Sequence, residues 1–187
     1  MAWTRRGCIS SDCPSAGVVV QAVAAREPRA IRTLTLIDTG AHFTAPARAA
    51  MIDRAADIRR DGLTDGVLDG LLTHWFRPAT LDVRPHLVDR ARKTLSLLDD
   101  TVHAALWEMI AAVDERERLV DIVAPTTVVV GEHDTSSPVA TAAELVSGIA
   151  GSTLHVVPGA AHLSPVECPA AVTTIIRSAV AAGAAHR

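Results

Sequence analysis

The sequence predicts an α/β fold: a parallel sheet flanked by helices and interrupted by a helical insertion. Three observations predict it. Two short runs rich in Val, Leu and Thr, beginning at Thr126 and Thr153, are bounded by Gly and Pro and read as buried strands. Between them Val139, Ala142, Ala143, Val146 and Ile149 recur at helical spacing, so the stretch is one strand–helix–strand unit, which joins parallel strands. A second helix–strand pair lies earlier, and residues 44–118 between the two carry helical periodicity alone.

Taken in order, residues 1–16 show neither period and read as an aberrant terminus without regular structure. Val18–Arg26 is a compact apolar helix that stops before Pro28, a breaker. Leu34, Leu36 and Ile37 form a short strand ending at Asp38-Thr39-Gly40, so 17–43 is core. Ala45–Arg60 is Ala/Arg-rich and helical until Asp61-Gly62, and Leu63–Trp75 repeats Val67, Leu68, Leu71, Leu72 and Trp75 at helical spacing. Phe76-Arg77-Pro78 breaks that helix, and His86–Ser96 and Thr101–Val113 are further amphipathic helices. Four helices without a strand, set between two strands of one sheet, read as an inserted lid over 44–118. Its charged end, Asp114–Arg118, reads as a solvated helix terminus. Residues 119–187 return to the core, with Ala170–Val180 as a final covering helix.

Composition narrows the class. A chain of 187 residues with 49% hydrophobic content is long enough for a sizeable core and is not of disordered type. A net charge of −3 gives no footprint for nucleic acid. Cys8, Cys13 and Cys168 are odd in number and lack metal spacing, which fits a reducing compartment. The eight histidines form no metal-ligand motif. No apolar run reaches the roughly 18 residues of a membrane helix, and no signal-peptide core is evident, so the expectation is a cytoplasmic protein.

The chemistry-bearing residues are Asp134 and His162, each just past the carboxyl end of a predicted strand, where open α/β sheets place their sites. A buried carboxylate that holds an imidazole in one tautomer makes it a base toward a hydroxyl. Taken singly, each residue has a plainer role: Asp134 as cap of the helix beginning near Ser137, His162 as a turn residue.

The wording around the pair, G-x-x-D-x-x-x-P and P-x-x-x-H-x-x-x-x-E-x-P, resembles the last two catalytic turns of the α/β-hydrolases. With G-V-V-V-Q-A-V-A-A-R-E-P, L-T-L-I-D-T and the phrase H-W-F-R-P, residues 17–180 resemble the C-terminal two-thirds of a 3-oxoadipate enol-lactonase, an enzyme type of aromatic-compound degradation. The resemblance implies a Ser-His-Asp hydrolase opening a small enol-lactone, with no metal or organic cofactor. It makes His162 the base and Asp134 its acid, and it implies that the sheet's leading strands are missing from this chain. It also places Trp75 and Arg77 in substrate binding, Arg77 toward a free carboxylate. Two alternatives stand beside it: a non-catalytic remnant, and another ester hydrolase or haloperoxidase-like member.

The nucleophile departs from the pattern. In place of G-x-S-x-G the chain has Cys13-Pro14-Ser15-Ala16-Gly17, so Ser15 keeps only the S-x-G half. Counting back from Pro28 without a gap puts Pro14 at the serine position. Back-translated with GC-rich codons and shifted by two bases, the first 17 residues read GLDAPRVHLVGLSVGG. That is an apolar strand running into the missing elbow. The first 16 residues are therefore expected to be an out-of-frame reading of a hydrolase gene.

Overall fold

A computed structural model describes residues 7–11 and 14–185. In chain order the elements are β1 (Gly7–Ser11), α1 (Pro14–Arg26), β2 (Ile31–Ile37), α2 (Ala45–Asp61), α3 (Asp65–Trp75), α4 (Pro78–Val83), α5 (Pro85–Leu95) and α6 (Asp100–Ala112). A 3-10 turn, Arg116–Asp121, leads to β3 (Thr126–Gly131), α7 (Val139–Gly148), β4 (Thr153–Val157), α8 (Ser164–Glu167) and α9 (Pro169–Ala185). They form two compact units, one of residues 1–42 with 114–187 and one of Phe43–Val113.

The first unit is built on an all-parallel sheet in the order β1-β2-β3-β4. Side chains alternate across it, because successive residues of a strand point to opposite faces. Leu34, Leu36, Val128 and Val130 pack on one face with Ala24 of α1, Leu145 of α7 and Leu119 of the 3-10 turn. Ile37, Val129 and Val157 pack on the other with Val172, Ile175 and Ile176 of α9. β3 is buried along its whole length, as its unbroken apolar run requires.

Three expectations need correction. The terminus expected to lack regular structure contains β1, whose Cys8–Ser11 pair in register with Thr33–Leu36. A ready partner strand overrides the weak local pattern of GCISS, and Pro14, preset for a first helical position, starts α1 four residues before Val18. Residues 1–6, 12 and 13, with Cys13, lie outside the described residues. The second correction is β4, read as buried: His155 and Val156 are exposed, because β4 borders the sheet. The third is the charged stretch after Val113. Its charged side chains, half-buried Glu115 apart, are solvated as expected, but α6 ends at Ala112 and the stretch belongs to the sheet unit, running into the 3-10 turn Arg116–Asp121 with Leu119 in the core. There His42 and Asp114 form an isolated bridge, and Glu115 N–H donates to Ala41 C=O (2.9 Å).

The helical unit holds α2 to α6. Thr44, Thr64 and Asp99 cap α2, α3 and α6 with side-chain oxygens, the usual way to satisfy first-turn N–H groups. Ala55 and Ile58 of α2 pack on Ala104 and Trp107 of α6. Arg59 and Glu108 join the same helices by a two-pronged ion pair at 3.0 and 2.8 Å.

Candidate active site

β3 ends at Gly131, and the chain turns at once, with Asp134 N–H donating to Gly131 C=O (3.1 Å). The side chain of Asp134 faces inward. Its Oδ1 accepts the N–H groups of Ser136 (2.8 Å) and Ser137 (2.9 Å), and its Oδ2 lies 2.9 Å from His162 Nδ1. Both side chains are sealed from solvent, at 0% exposure for Asp134 and 2% for His162. Asp134 is therefore not the cap of α7, which begins at Val139 with Pro138 at its N-cap; its Oδ1 closes the turn ahead of that helix while its Oδ2 meets the histidine. A carboxylate on Nδ1 assigns the proton to that nitrogen and leaves Nε2 as the basic atom.

Two more buried carboxylates hold the loop that carries His162. Glu167 Oε2 accepts Ala161 N–H (2.6 Å), one residue before the histidine. Asp38 Oδ2 accepts Ser164 N–H (2.9 Å), two residues after it. The other oxygen of Asp38 accepts Gly131 N–H (3.0 Å) at the end of β3. Asp38 adopts φ +49°, a left-handed conformation that Asp tolerates better than most residues. Burial pushes its carboxyl up to about 7, opposed by hydrogen bonding from Ser164, whose N–H it accepts, and by the charge of His162. Sequence reasoning saw Asp38 only as the stop of a strand and Glu167 only as a motif letter. An acid directly after an apolar parallel strand was the available signal.

The close fit of the loop depends on Gly131. A Cβ there would lie 2.2 Å from Ala161 O and 2.7 Å from Ala160 O, both fixed backbone atoms. Glycine is needed because two chain segments meet at van der Waals contact.

Ser15 lies in the first turn of α1, half-buried and helical. Nucleophile elbows put the serine on a strained turn between strand and helix. Among the described residues Asp38 is the sole non-glycine with positive φ, so Ser15 lacks that geometry. The position entering α1 is Pro14, which has no hydroxyl. Gly17 does meet a neighbour closely, since a Cβ there would sit 2.2 Å from Thr39 Oγ1 beside Asp38.

Trp75 and Arg77 belong to the helical unit. Trp75 stacks on Trp107 with centroids 6.5 Å apart, and the Arg54 guanidinium covers Trp107 at 4.7 Å. Arg77 is half-buried and precedes α4. Trp107 and Arg54 were not singled out in the sequence, because neither carries a motif. Among the described residues no group of three or more His, Cys, Asp or Glu is placed to hold a metal ion.

The chain matches no protein-family model. It is 33% identical over 118 residues to 3-oxoadipate enol-lactonase 2 of Acinetobacter baylyi, a match covering 63% of this chain and 43% of that protein. The enol-lactonase from Burkholderia xenovorans LB400 superposes with a TM-score of 0.88 at 26% identity, covering 94% of this chain. The chain belongs to the α/β-hydrolase superfamily. A hydrolase from Pseudomonas aeruginosa superposes similarly, with a TM-score of 0.86 at 29% identity over 94% of this chain. The chain spans 66% and 65% of the lengths of those two hydrolases. Asp134 and His162 lie in the turns that follow β3 and β4, the last two strands of the chain. No helix of the described residues is long and apolar enough to cross a membrane.

Proposed function

We propose that the chain carries the acid and base of a hydrolase site for small esters or lactones, of the enol-lactone type. We further propose that it lacks a working nucleophile. The observation that carries the first part is the buried 2.9 Å contact between His162 Nδ1 and Asp134. In the proposed chemistry His162 Nε2 takes the proton of a hydroxyl as that oxygen attacks the lactone carbonyl. The resulting imidazolium is stabilised by Asp134 and returns its proton to the departing enolate oxygen, opening the ring. Water then repeats the cycle on the acyl intermediate, releasing the acid. Such a substrate carries a free carboxylate, and Arg77 is the candidate partner for it because a planar guanidinium matches that group. Trp75 is the candidate apolar wall for the substrate. An enol-lactone substrate ties the chain to aromatic-compound degradation, and the proposed setting is the cytoplasm.

The second part rests on Ser15 being helical and on Pro14 standing at the entry to α1. β1 at Gly7–Ser11 also coincides with the stretch that reads VHLVG in the shifted frame. This favours the out-of-frame origin of the first 16 residues, and the nucleotide sequence tests it directly.

Turnover tests the whole proposal. The chain is expected to hydrolyse neither p-nitrophenyl acetate nor 3-oxoadipate enol-lactone above background. A version with the in-frame elbow is expected to prefer the lactone over simple esters and haloalkanes, and to lose activity in His162→Ala. Robust esterase activity of the present chain, abolished by Ser15→Ala, would overturn the missing-nucleophile proposal. Full activity of a folded His162→Ala in-frame version would overturn the assignment of the base.

A further inference from the structure

We infer that Asp38 is the positioning residue of the Asp134–His162 pair. One carboxylate receives two N–H groups from segments far apart in the chain. Gly131, 93 residues away, precedes Asp134 by three positions, and Ser164, 126 residues away, follows His162 by two. Each of its oxygens therefore holds one of the turns that must meet for His162 Nδ1 to reach Asp134 Oδ2. Asp38 is itself fixed, since its N–H donates to Val129 C=O (2.9 Å) and it is 1% exposed. Glu167 secures the other side of the histidine through Ala161 N–H, but it belongs to the same loop. Among these carboxylates Asp38 is the one that bridges both turns.

An amide at this site cannot replace the acid. Asn offers one acceptor oxygen, and its NH2 would face an N–H donor where the second oxygen stood. One of the two backbone N–H groups then loses its partner, and the link through residue 38 is broken, leaving the His133 N–H to Ala160 C=O bond (2.8 Å) as a remaining tie between the turns.

The inference rests on the acid–base reading for its purpose, but its test does not need turnover. In 1H–15N spectra of the full chain, the amides of Gly131 and Ser164 are expected to titrate together, with one midpoint near neutrality. His162 and Asp134 are the ionisable groups that face Asp38, and Glu167 lies in the same loop, so a control is required. In Asp38→Asn the shared titration is expected to vanish, and the low-field Nδ1–H signal of His162 to move upfield or disappear. The inference is overturned if the two amides titrate separately or not at all in the native chain. It is also overturned if Asp38→Asn folds and keeps the His162 signal in place. Should Asp38→Asn fail to fold, the native amide titration still decides. A native chain with no Nδ1–H signal but joint amide titration would sink the acid–base reading and leave the bridge by Asp38 standing.

Discussion

Replacing Gly131 by alanine places one methyl group at the junction of β3 and the His162 loop. The new Cβ would stand 2.2 Å from Ala161 O and 2.7 Å from Ala160 O, where ordinary contacts begin at 3.4 Å. Backbone atoms cannot rotate away as a side chain can, so the loop must retreat by about 1 Å. His133 N–H donates to Ala160 C=O at 2.8 Å, and such a retreat stretches that bond to about 3.8 Å, beyond hydrogen-bonding range. Losing it costs about 1 kcal/mol, and the overpacking adds about 1–3 kcal/mol, for a total of roughly 2–4 kcal/mol. Urea unfolding followed by circular dichroism measures the loss at unchanged m-value. A loss below about 0.5 kcal/mol would show that the loop is not held against β3 as described.

Three further outcomes are expected. Gly70→Ala, in α3 with nothing within 4 Å of the added Cβ, should stabilise the helical unit by up to ~1 kcal/mol, whereas Gly17→Ala should destabilise because stiff, buried Thr39 stands in the way; thermal melts of the two variants with opposite shifts check this. The carboxyl of Asp38 is raised from 3.8 to about 7, so the folded state holds that proton more tightly than the unfolded chain does. Its contribution is therefore fully present below about pH 3.8 and is lost as pH rises to about 7, by an amount on the order of a few kcal/mol. Asp38→Asn should flatten the fall of unfolding free energy over that window, and an unchanged slope would contradict the raised value. Treatment with a fluorophosphonate followed by intact-mass measurement should leave the chain unlabelled, and a stoichiometric adduct at Ser15 would identify the nucleophile that the geometry does not supply.

How far the sequence discloses this molecule depends on the range of each interaction. Asp134 and His162 stand out because each follows its own β-branched run, so strand end and chemistry are read in one window. β3 is equally plain, since a strand covered on both faces must be apolar throughout. β1 is hidden because GCISS has no pattern of its own and pairs only because β2 stands beside it. The exposure of β4 follows from its place at the sheet border, which no local window contains. Asp38 is the extreme case: both backbone partners of its side chain lie more than ninety residues away, so its role exists only once the sheet has formed.

The contact between His162 Nδ1 and Asp134 Oδ2 is the point on which the functional account turns, and proton NMR at low field observes it directly. A single exchangeable resonance, far downfield of the amides and lost in Asp134→Asn, is the predicted result. Absence of that resonance in the folded chain, or its survival in a folded Asp134→Asn, would contradict the account.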